Sequence, residues 1–198
     1  NFFVYGTAPI FLVRYVAEWF SSNADQIASL GFGFFAFLGK GYDQVHIVGR
    51  SISAIADVIS VATLYFIGRR LYGWRVGLTA AALSAGTVAL IQQAHFFTVD
   101  SFATLCVRVG LFAAVRVLDY GRLRDYLIFG IAFGLALGSR VNTAPLVLVI
   151  LIASRLHFVR SASLTTGKSA NVDIYGLAVA GGVAALVFRI VQPYTFNG

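Results

Sequence analysis

The stretch at 46–70 reads HIVGRSISAIADVISVATLYFIGRR and decides the fold class. Residues 46–67 are predominantly apolar, and a helix of that length crosses the hydrocarbon core of a bilayer, which is about 30 Å thick. The stretch ends at Arg69 and Arg70, and Tyr72 follows as an aromatic residue suited to the membrane interface. The pattern therefore predicts a transmembrane α-helix whose basic end faces the cytoplasm.

The rest of the chain is also strongly hydrophobic. Of its 198 residues, 59% are hydrophobic and 12% are charged, and the mean hydropathy is +0.82, outside the range of soluble domains. The apolar blocks are longer than the roughly 10-residue segments of a membrane β-barrel. We expect an all-α polytopic bundle in the inner or plasma membrane, with about six spans. The predicted spans are 46–67, 76–97, 101–118, two short helices within 126–154, and 174–191.

The charges indicate orientation rather than nucleic-acid binding. The formal net charge is +7, but Lys and Arg residues fall mostly in short loops between apolar blocks. Basic loops stay in the cytoplasm, so alternation places Asp100 and Arg140 on the outer face. Cys106 is the single cysteine and lies in an apolar block, which excludes a disulfide framework.

The block at 126–154 is predicted to be two short helices. Arg140 near its middle is followed by Asn142 and Pro145, which disfavour an unbroken helix. The loops on both sides are basic, which requires an even number of crossings between them. Arg140 is therefore expected at an outer turn, and residues 161–173 are expected to form a polar loop.

The first 45 residues are assigned to an outer-face region and residues 46–198 to a single transmembrane unit. Residues 2–20 and 27–38 form either a membrane hairpin or juxtamembrane helices in the outer interface, and the anchoring aromatics Tyr5, Tyr15 and Trp19 favour the interface. The chain begins at Asn1 and contains no methionine. We therefore expect a fragment of a longer protein.

Two charges are predicted inside the bilayer, where each costs about 2.5 to 3.5 kcal/mol unless it is paired or hydrated. Asp57 and Arg108 lie at similar depths in their predicted helices. They are expected to form a structural ion pair, with no chemical role.

Charged residues at the predicted outer turns are candidates for a site. His95 and Asp100 flank one turn, where Asp100 would either cap the next helix, hold a divalent ion or deprotonate an acceptor hydroxyl. Arg140 and Arg189 lie on the face where positive charge is normally scarce. Guanidinium groups bind phosphate through charge-assisted hydrogen bonds. The alternative for both arginines is snorkelling towards lipid headgroups.

Motifs of soluble nucleotide chemistry and of hydrolases are missing from the sequence, namely G-x-x-x-x-G-K-[ST], G-x-S-x-G, H-E-x-x-H and C-x-x-C. The outer face also lacks nucleotide sugars as ordinary substrates. A transfer reaction there would need a lipid-borne activated donor.

Several segments resemble one family. They are NFFVYGTAP at 1–9, VGRSIS at 48–53, GRRLYG at 68–73, AHFFTVD at 94–100, GLALGSR at 134–140, and Arg189 with QPY at 192–194. In order and spacing the chain resembles the membrane-integral GT-C glycosyltransferases that use a phospholipid carrier, such as protein O-mannosyltransferases and the aminoarabinose transferase of lipid A. The resemblance covers nearly the whole chain.

The resemblance implies that Asp100 acts at the catalytic centre with the carrier phosphate or a metal. His95, Arg140 and Arg189 are predicted to bind substrate. The family's principal acidic pair, in its first outer loop, would lie upstream of Asn1. We expect a glycosyltransferase that transfers a sugar from a polyprenyl-phosphate carrier to an acceptor on the outer face. The alternative is a non-catalytic subunit of a larger membrane complex. Membrane lipids, and in that case partner subunits, are the expected partners.

Overall fold

A computed structural model describes residues 8–23, 29, 43–95, 98–162 and 168–192. Within those ranges every regular element is a helix, which confirms the all-α prediction. The helices are α1 (Ala8–Ser22), α2 (Asp43–Tyr72), α3 (Trp74–Ala85), α4 (Val88–His95), α5 (Val99–Tyr120), α6 (Leu123–Ser139), a 3-10 turn (Val141–Thr143), α7 (Leu146–Ala162) and α8 (Lys168–Val191).

Four helical segments are each long and apolar enough to cross a membrane. They are Ile47–Tyr72, Val99–Tyr120, Val141–Ser161 and Asp173–Val191. Many of their large hydrophobic side chains are exposed on the outside of the bundle, and Val58 is 70% exposed. Such an apolar surface suits contact with lipid, whereas in water it would promote aggregation. The bundle is therefore a membrane bundle, while the count of six spans stays a prediction.

Helix α6 lies at the centre of the bundle and packs against α5 and α8. Its approach to α8 depends on glycine: a Cβ at Gly130 would lie 2.6 Å from the carbonyl oxygen of Ala180, and one at Gly134 would lie 2.7 Å from that of Ala184. Small residues let helix backbones come this close in membranes. The main core, which includes Ala114, Phe129 and Ile150, fills the space between α5, α6 and α7.

The predicted continuous helix at 76–97 is wrong, because α3 ends at Ala85 and α4 begins at Val88. The Gly86 N–H donates to the Ala82 carbonyl at 3.0 Å, and the Thr87 carbonyl then accepts the first hydrogen bonds of α4. Glycine commonly ends helices, and composition alone does not reveal such a break. Each piece is too short to span a bilayer by itself.

The predicted break at Arg140 is confirmed. Arg140 is extended, with φ −148° and ψ 124°, between α6 and the 3-10 turn. The predicted loop at 161–173 is wrong in part, because α7 runs to Ala162 and α8 begins at Lys168. The buried Asp173 accepts a hydrogen bond from Tyr126, and this tertiary contact anchors the first turns of α8.

Helix α1 packs on α2 through Val13 and Ala17, which are buried against Val48. Tyr15 and Trp19 are exposed on its other side. The choice between a hairpin and an interfacial arrangement, and the division at residue 45, stay predictions. Residues 27–38 lie outside the described residues except for Ser29, as do residues 1–7 with Tyr5, residues 96 and 97, and residues 193–198.

The bundle has two chemically distinct ends. The Asp100 end contains the starts of α2 and α5 and the ends of α4, α6 and α8. The arginine-rich end contains the ends of α2, α5 and α7 and the starts of α6 and α8. The arginines at the arginine-rich end are Arg69, Arg70, Arg75, Arg116, Arg122, Arg124, Arg155 and Arg160.

Candidate functional site: a carboxylate–guanidinium pair

Two of the residues predicted to form a site meet at the Asp100 end. The Arg140 Nε lies 2.8 Å from the Asp100 Oδ1, and the two side chains are 42% and 26% exposed, respectively. Asp100 lies in the first turn of α5, while Arg140 occupies the extended break after α6. The fold therefore brings together a carboxylate and a cation that are far apart in sequence.

Asp100 does not cap α5 in the structure. The N-cap residue is Thr98, which makes no side-chain cap hydrogen bond, and the Thr98 hydroxyl instead donates to the Gln93 carbonyl at 3.4 Å. Asp100 is the second helical residue, where the positive end of the helix dipole favours a carboxylate. Its partner among the described residues is Arg140.

The contact between Asp100 and Arg140 is an ion pair rather than a directed hydrogen bond. The Asp100 Oδ1 is buried but receives no hydrogen bond of good geometry from a described residue. A partly exposed pair of this kind is worth about 0 to 1 kcal/mol. Phosphate offers a guanidinium two parallel charge-assisted hydrogen bonds, so it can compete for Arg140.

Arg189 lies at the same end of the bundle as this pair, on a helix whose last turn contacts the end of α6. The Gln192 side-chain amide donates to the Gly138 carbonyl at 3.0 Å, two residues before Arg140. This bond ties the last turn of α8, which carries Arg189, to the end of α6. The Arg189 side chain is exposed at that end. The two predicted phosphate-binding arginines therefore lie on neighbouring helix ends.

His95 faces a different part of the same end. It is exposed and borders a cavity of about 300 Å³ together with Arg50, Ser51 and Ala54 of α2. Sequence reasoning did not propose Arg50 as a site residue. Its position near the predicted outer end of a span was a usable signal, because a cation there departs from the positive-inside rule.

An apolar cavity of about 260 Å³ opens between α5 and α6. Phe102 lies two residues after Asp100, and Leu135 lies on the last turns of α6 before Arg140. The cavity therefore extends from beneath the ion pair along the two helices. It is lined by Phe102, Leu105, Cys106, Val109, Ile128, Ile131, Ala132 and Leu135.

The expected contact between Asp57 and Arg108 is not direct. The two charges interact electrostatically, but no atoms of theirs pair within 4.0 Å, and the Arg108 Nη2 donates instead to the Ser84 hydroxyl at 3.1 Å. Similar depth did not determine the direction in which each side chain points around its helix. A structural role for this pair stays a prediction.

Sequence reasoning missed a buried polar network at the arginine-rich end. The Tyr126 hydroxyl donates to Asp173 at 2.9 Å and lies 3.1 Å from the Ser154 hydroxyl. The His157 Nδ1 lies 3.0 Å from the same Asp173 carboxylate. No local pattern predicts this meeting of three helices, because the partners lie far apart in the chain. The network ties α6, α7 and α8 together.

The described donor set does not fit a divalent metal ion at Asp100. Across the described residues, no group of three or more His, Cys, Asp or Glu side chains is placed to hold one. The described neighbour of Asp100 is the Arg140 guanidinium, whose positive charge opposes a second cation. The site therefore suits an anionic ligand better.

These features define a helical membrane protein with a carboxylate and several guanidinium groups at one end of its bundle. A family model described as dolichyl-phosphate-mannose-protein mannosyltransferase matches residues 34–191. The chain therefore belongs to that family, and the resemblance to GT-C membrane glycosyltransferases is confirmed. Searches of curated proteins and of solved structures give no significant match.

Membership in a membrane glycosyltransferase family implies a lipid-linked sugar donor. The matched range includes His95, Asp100, Arg140 and Arg189, but it assigns none of them a role.

Proposed function

We propose that this chain supplies part of the donor site of a glycosyltransferase that transfers a sugar from a polyprenyl-phosphate carrier to an acceptor on the outer face of the membrane. The observation that carries the proposal is the 2.8 Å ion pair between Asp100 and Arg140. A base for the acceptor and a cation for the carrier phosphate are the two groups that such a transfer requires.

The distribution of arginines supports an outward-facing Asp100 end. Eight arginines lie at the other end of the bundle, and cytoplasmic loops carry the excess of Lys and Arg in membrane proteins. Carrier-linked sugars are hydrophobic at one end and charged at the other. The apolar cavity between α5 and α6 would take the polyprenyl chain, while the charged groups above it would meet the phosphate.

The reaction breaks the bond between the anomeric carbon and the phosphate oxygen and forms a bond to the acceptor oxygen. In this proposal Arg140 binds the donor phosphate, which takes the electron pair of the broken bond, leaves with the carrier and gains a second negative charge. Phosphate binding takes Arg140 out of its ion pair, so the Asp100 carboxylate becomes available. Asp100 then accepts the proton of the attacking hydroxyl.

Arg189 and His95 would bind other parts of the substrate. Arg189, on the neighbouring helix end, would add a second guanidinium to the phosphate site. His95 and Arg50 border their own cavity, which would hold the sugar or the acceptor. A divalent metal ion would need ligands from outside the described residues, so no step is assigned to one.

The test is a transfer assay with full-length protein, a polyprenyl-phosphate sugar donor and a membrane extract as the acceptor source. Asp100→Asn keeps the size of the side chain but removes the base, and turnover should fall about 100- to 10,000-fold. Glu18→Gln is the matched control, because it removes the carboxylate of another ion pair at 2.8 Å, with Arg14.

Glu18→Gln should keep normal turnover, since that pair is exposed on α1. Equal turnover in the Asp100→Asn and Glu18→Gln variants would remove Asp100 from the chemistry. An absence of transfer by the wild-type protein would instead favour the alternative, a non-catalytic subunit.

A further inference from the structure

A third cavity, of about 230 Å³, lies at the arginine-rich end between α2 and α5. Its lining is formed by Phe66, Arg69, Arg70 and Phe112. The two phenyl rings lie 6.4 Å apart across the helix interface and make an apolar floor. The two arginines supply the positive charge. A cavity that combines these groups suits an amphipathic anion.

Arg70 is held in a fixed position at this cavity. Its Nε lies 2.6 Å from the Asp119 Oδ2, and its guanidinium lies 4.7 Å from the centre of the Tyr120 ring. A side chain that is already ordered loses little conformational entropy when a ligand binds. Arg70 is therefore preorganised for binding.

Arg69 supplies charge that no described residue neutralises. It is exposed, and no described residue forms an ion pair or a hydrogen bond with its side chain. Arg116 adds to the local positive charge, since its guanidinium lies 5.9 Å from the centre of the Phe112 ring, although Asp125 pairs with it at 2.7 Å. The local field therefore favours an anion.

The position of the cavity identifies the kind of anion. The two arginines lie near the end of the span Ile47–Tyr72, whereas Phe66 lies about one turn deeper and is 49% exposed on the outside of the bundle. A phosphate bound by the arginines would therefore lie at headgroup level, and the chains attached to it would lie against the phenyl floor. A soluble anion would leave that floor without a partner.

We propose that the cavity formed by Phe66, Arg69, Arg70 and Phe112 is a binding site for an anionic phospholipid of the adjacent leaflet. The phosphate contacts Arg69 and Arg70, and the acyl chains pack on Phe66 and Phe112. This site lies at the opposite end of the bundle from Asp100 and does not depend on the proposed transfer reaction. Its occupant would stabilise the contact between α2 and α5.

Native mass spectrometry of the full-length protein tests the proposal, with phosphatidylglycerol and phosphatidylcholine titrated at equal concentration. Arg69→Gln should weaken phosphatidylglycerol binding by about tenfold or more, because a charge-assisted contact in a shaped site is lost. Arg124→Gln is the matched control, since Arg124 is an exposed arginine at the same end that does not line the cavity. It should weaken binding by about fivefold at most, the effect of one arginine near an anionic surface.

Phe112→Leu tests the apolar floor and keeps most of the side-chain volume. It should weaken phosphatidylglycerol binding while the helical content, measured by circular dichroism, stays unchanged. Equal effects of Arg69→Gln and Arg124→Gln would overturn the proposal, because they would show unspecific attraction to headgroups. Full displacement of the lipid by an equal concentration of glycerol phosphate would also overturn it, because the acyl chains would then contribute nothing.

Discussion

The two ends of the bundle differ in how each one holds a carboxylate. At the arginine-rich end, Asp173 is 3% exposed, accepts a hydrogen bond from Tyr126 and lies 3.0 Å from His157. At the Asp100 end, the carboxylate is partly exposed and has one described ionic partner, without a directed hydrogen bond. The first arrangement fixes helices in place. The second leaves both charged groups able to exchange partners.

The backbone shows the same difference. At the Asp100 end, α6 stops at Arg140, which sits in extended backbone with φ −148° and ψ 124°. At the arginine-rich end, Gly121 ends α5 in the left-handed conformation, with φ +56°, and a Cβ there would lie 2.2 Å from the His157 ring. The turn between α5 and α6 at the arginine-rich end is therefore tightly packed, whereas at the break after α6 the Arg140 side chain is 42% exposed.

The largest effect on stability is expected from Asp173→Ala. It would leave the buried Tyr126 hydroxyl and the His157 ring without their shared acceptor, and the free energy of unfolding should fall by about 3 kcal/mol. Unfolding in mixed micelles with increasing denaturing detergent measures this change. Tyr175→Ala, at an exposed position of the same helix, is the control and should change the free energy by about 0.5 kcal/mol or less. Equal losses of unfolding free energy in the two variants would show that the contacts of Asp173 do not hold the helices together at the arginine-rich end.

The sequence predicted the bundle and the break at Arg140, because hydropathy and Pro145 are local signals. It did not predict the contact between Asp100 and Arg140. The alternation of loops across the membrane places each residue at one end of the bundle, but it does not show in which direction the side chain points from its helix. The sequence also does not show how each helix is rotated about its own axis. For this reason it did not predict that Arg108 bonds Ser84 rather than Asp57.

Other features depend on tertiary contacts that no local window contains. Residues 168–173 looked like a loop because they are polar, yet Asp173 is anchored by partners on α6 and α7. The break after Ala85 depends on backbone hydrogen bonds at Gly86 and Thr87, which composition does not encode. His95 faces Arg50 across a cavity that only the packing of α4 on α2 creates.

A smaller effect is expected where α6 meets α8, the contact that links the two ends. Gly134→Val would place a Cβ 2.7 Å from the Ala184 carbonyl oxygen, so the helices must separate. The free energy of unfolding should fall by about 2 kcal/mol, in the range for overpacked sites. The same detergent titration measures this change.

Gly182→Ala is the matched control for Gly134→Val, because a Cβ at Gly182 meets nothing within 4 Å. It should not lower the free energy of unfolding, because alanine has a higher helix propensity than glycine and its Cβ meets open space. An intact stability in the Gly134→Val variant would show that α6 and α8 are not in close contact.

The smallest effect on stability is expected from Asp100→Asn. The ion pair with Arg140 is partly exposed, so its loss should lower the free energy of unfolding by less than about 1 kcal/mol. A loss as large as that of Asp173→Ala would show that the pair is structural, and the proposed exchange of Arg140 from Asp100 to phosphate would be wrong.

The most direct test of the account is the exchanged pair, Asp100→Arg with Arg140→Asp, in the full-length protein. The double variant keeps opposite charges at the two positions, so its stability should stay within about 1 kcal/mol of the wild type. If Asp100 accepts the proton and Arg140 binds the donor phosphate, sugar transfer should still fall at least about 100-fold. A folded double variant with wild-type turnover would contradict the account, because the pair would then serve only to hold α5 and α6 together.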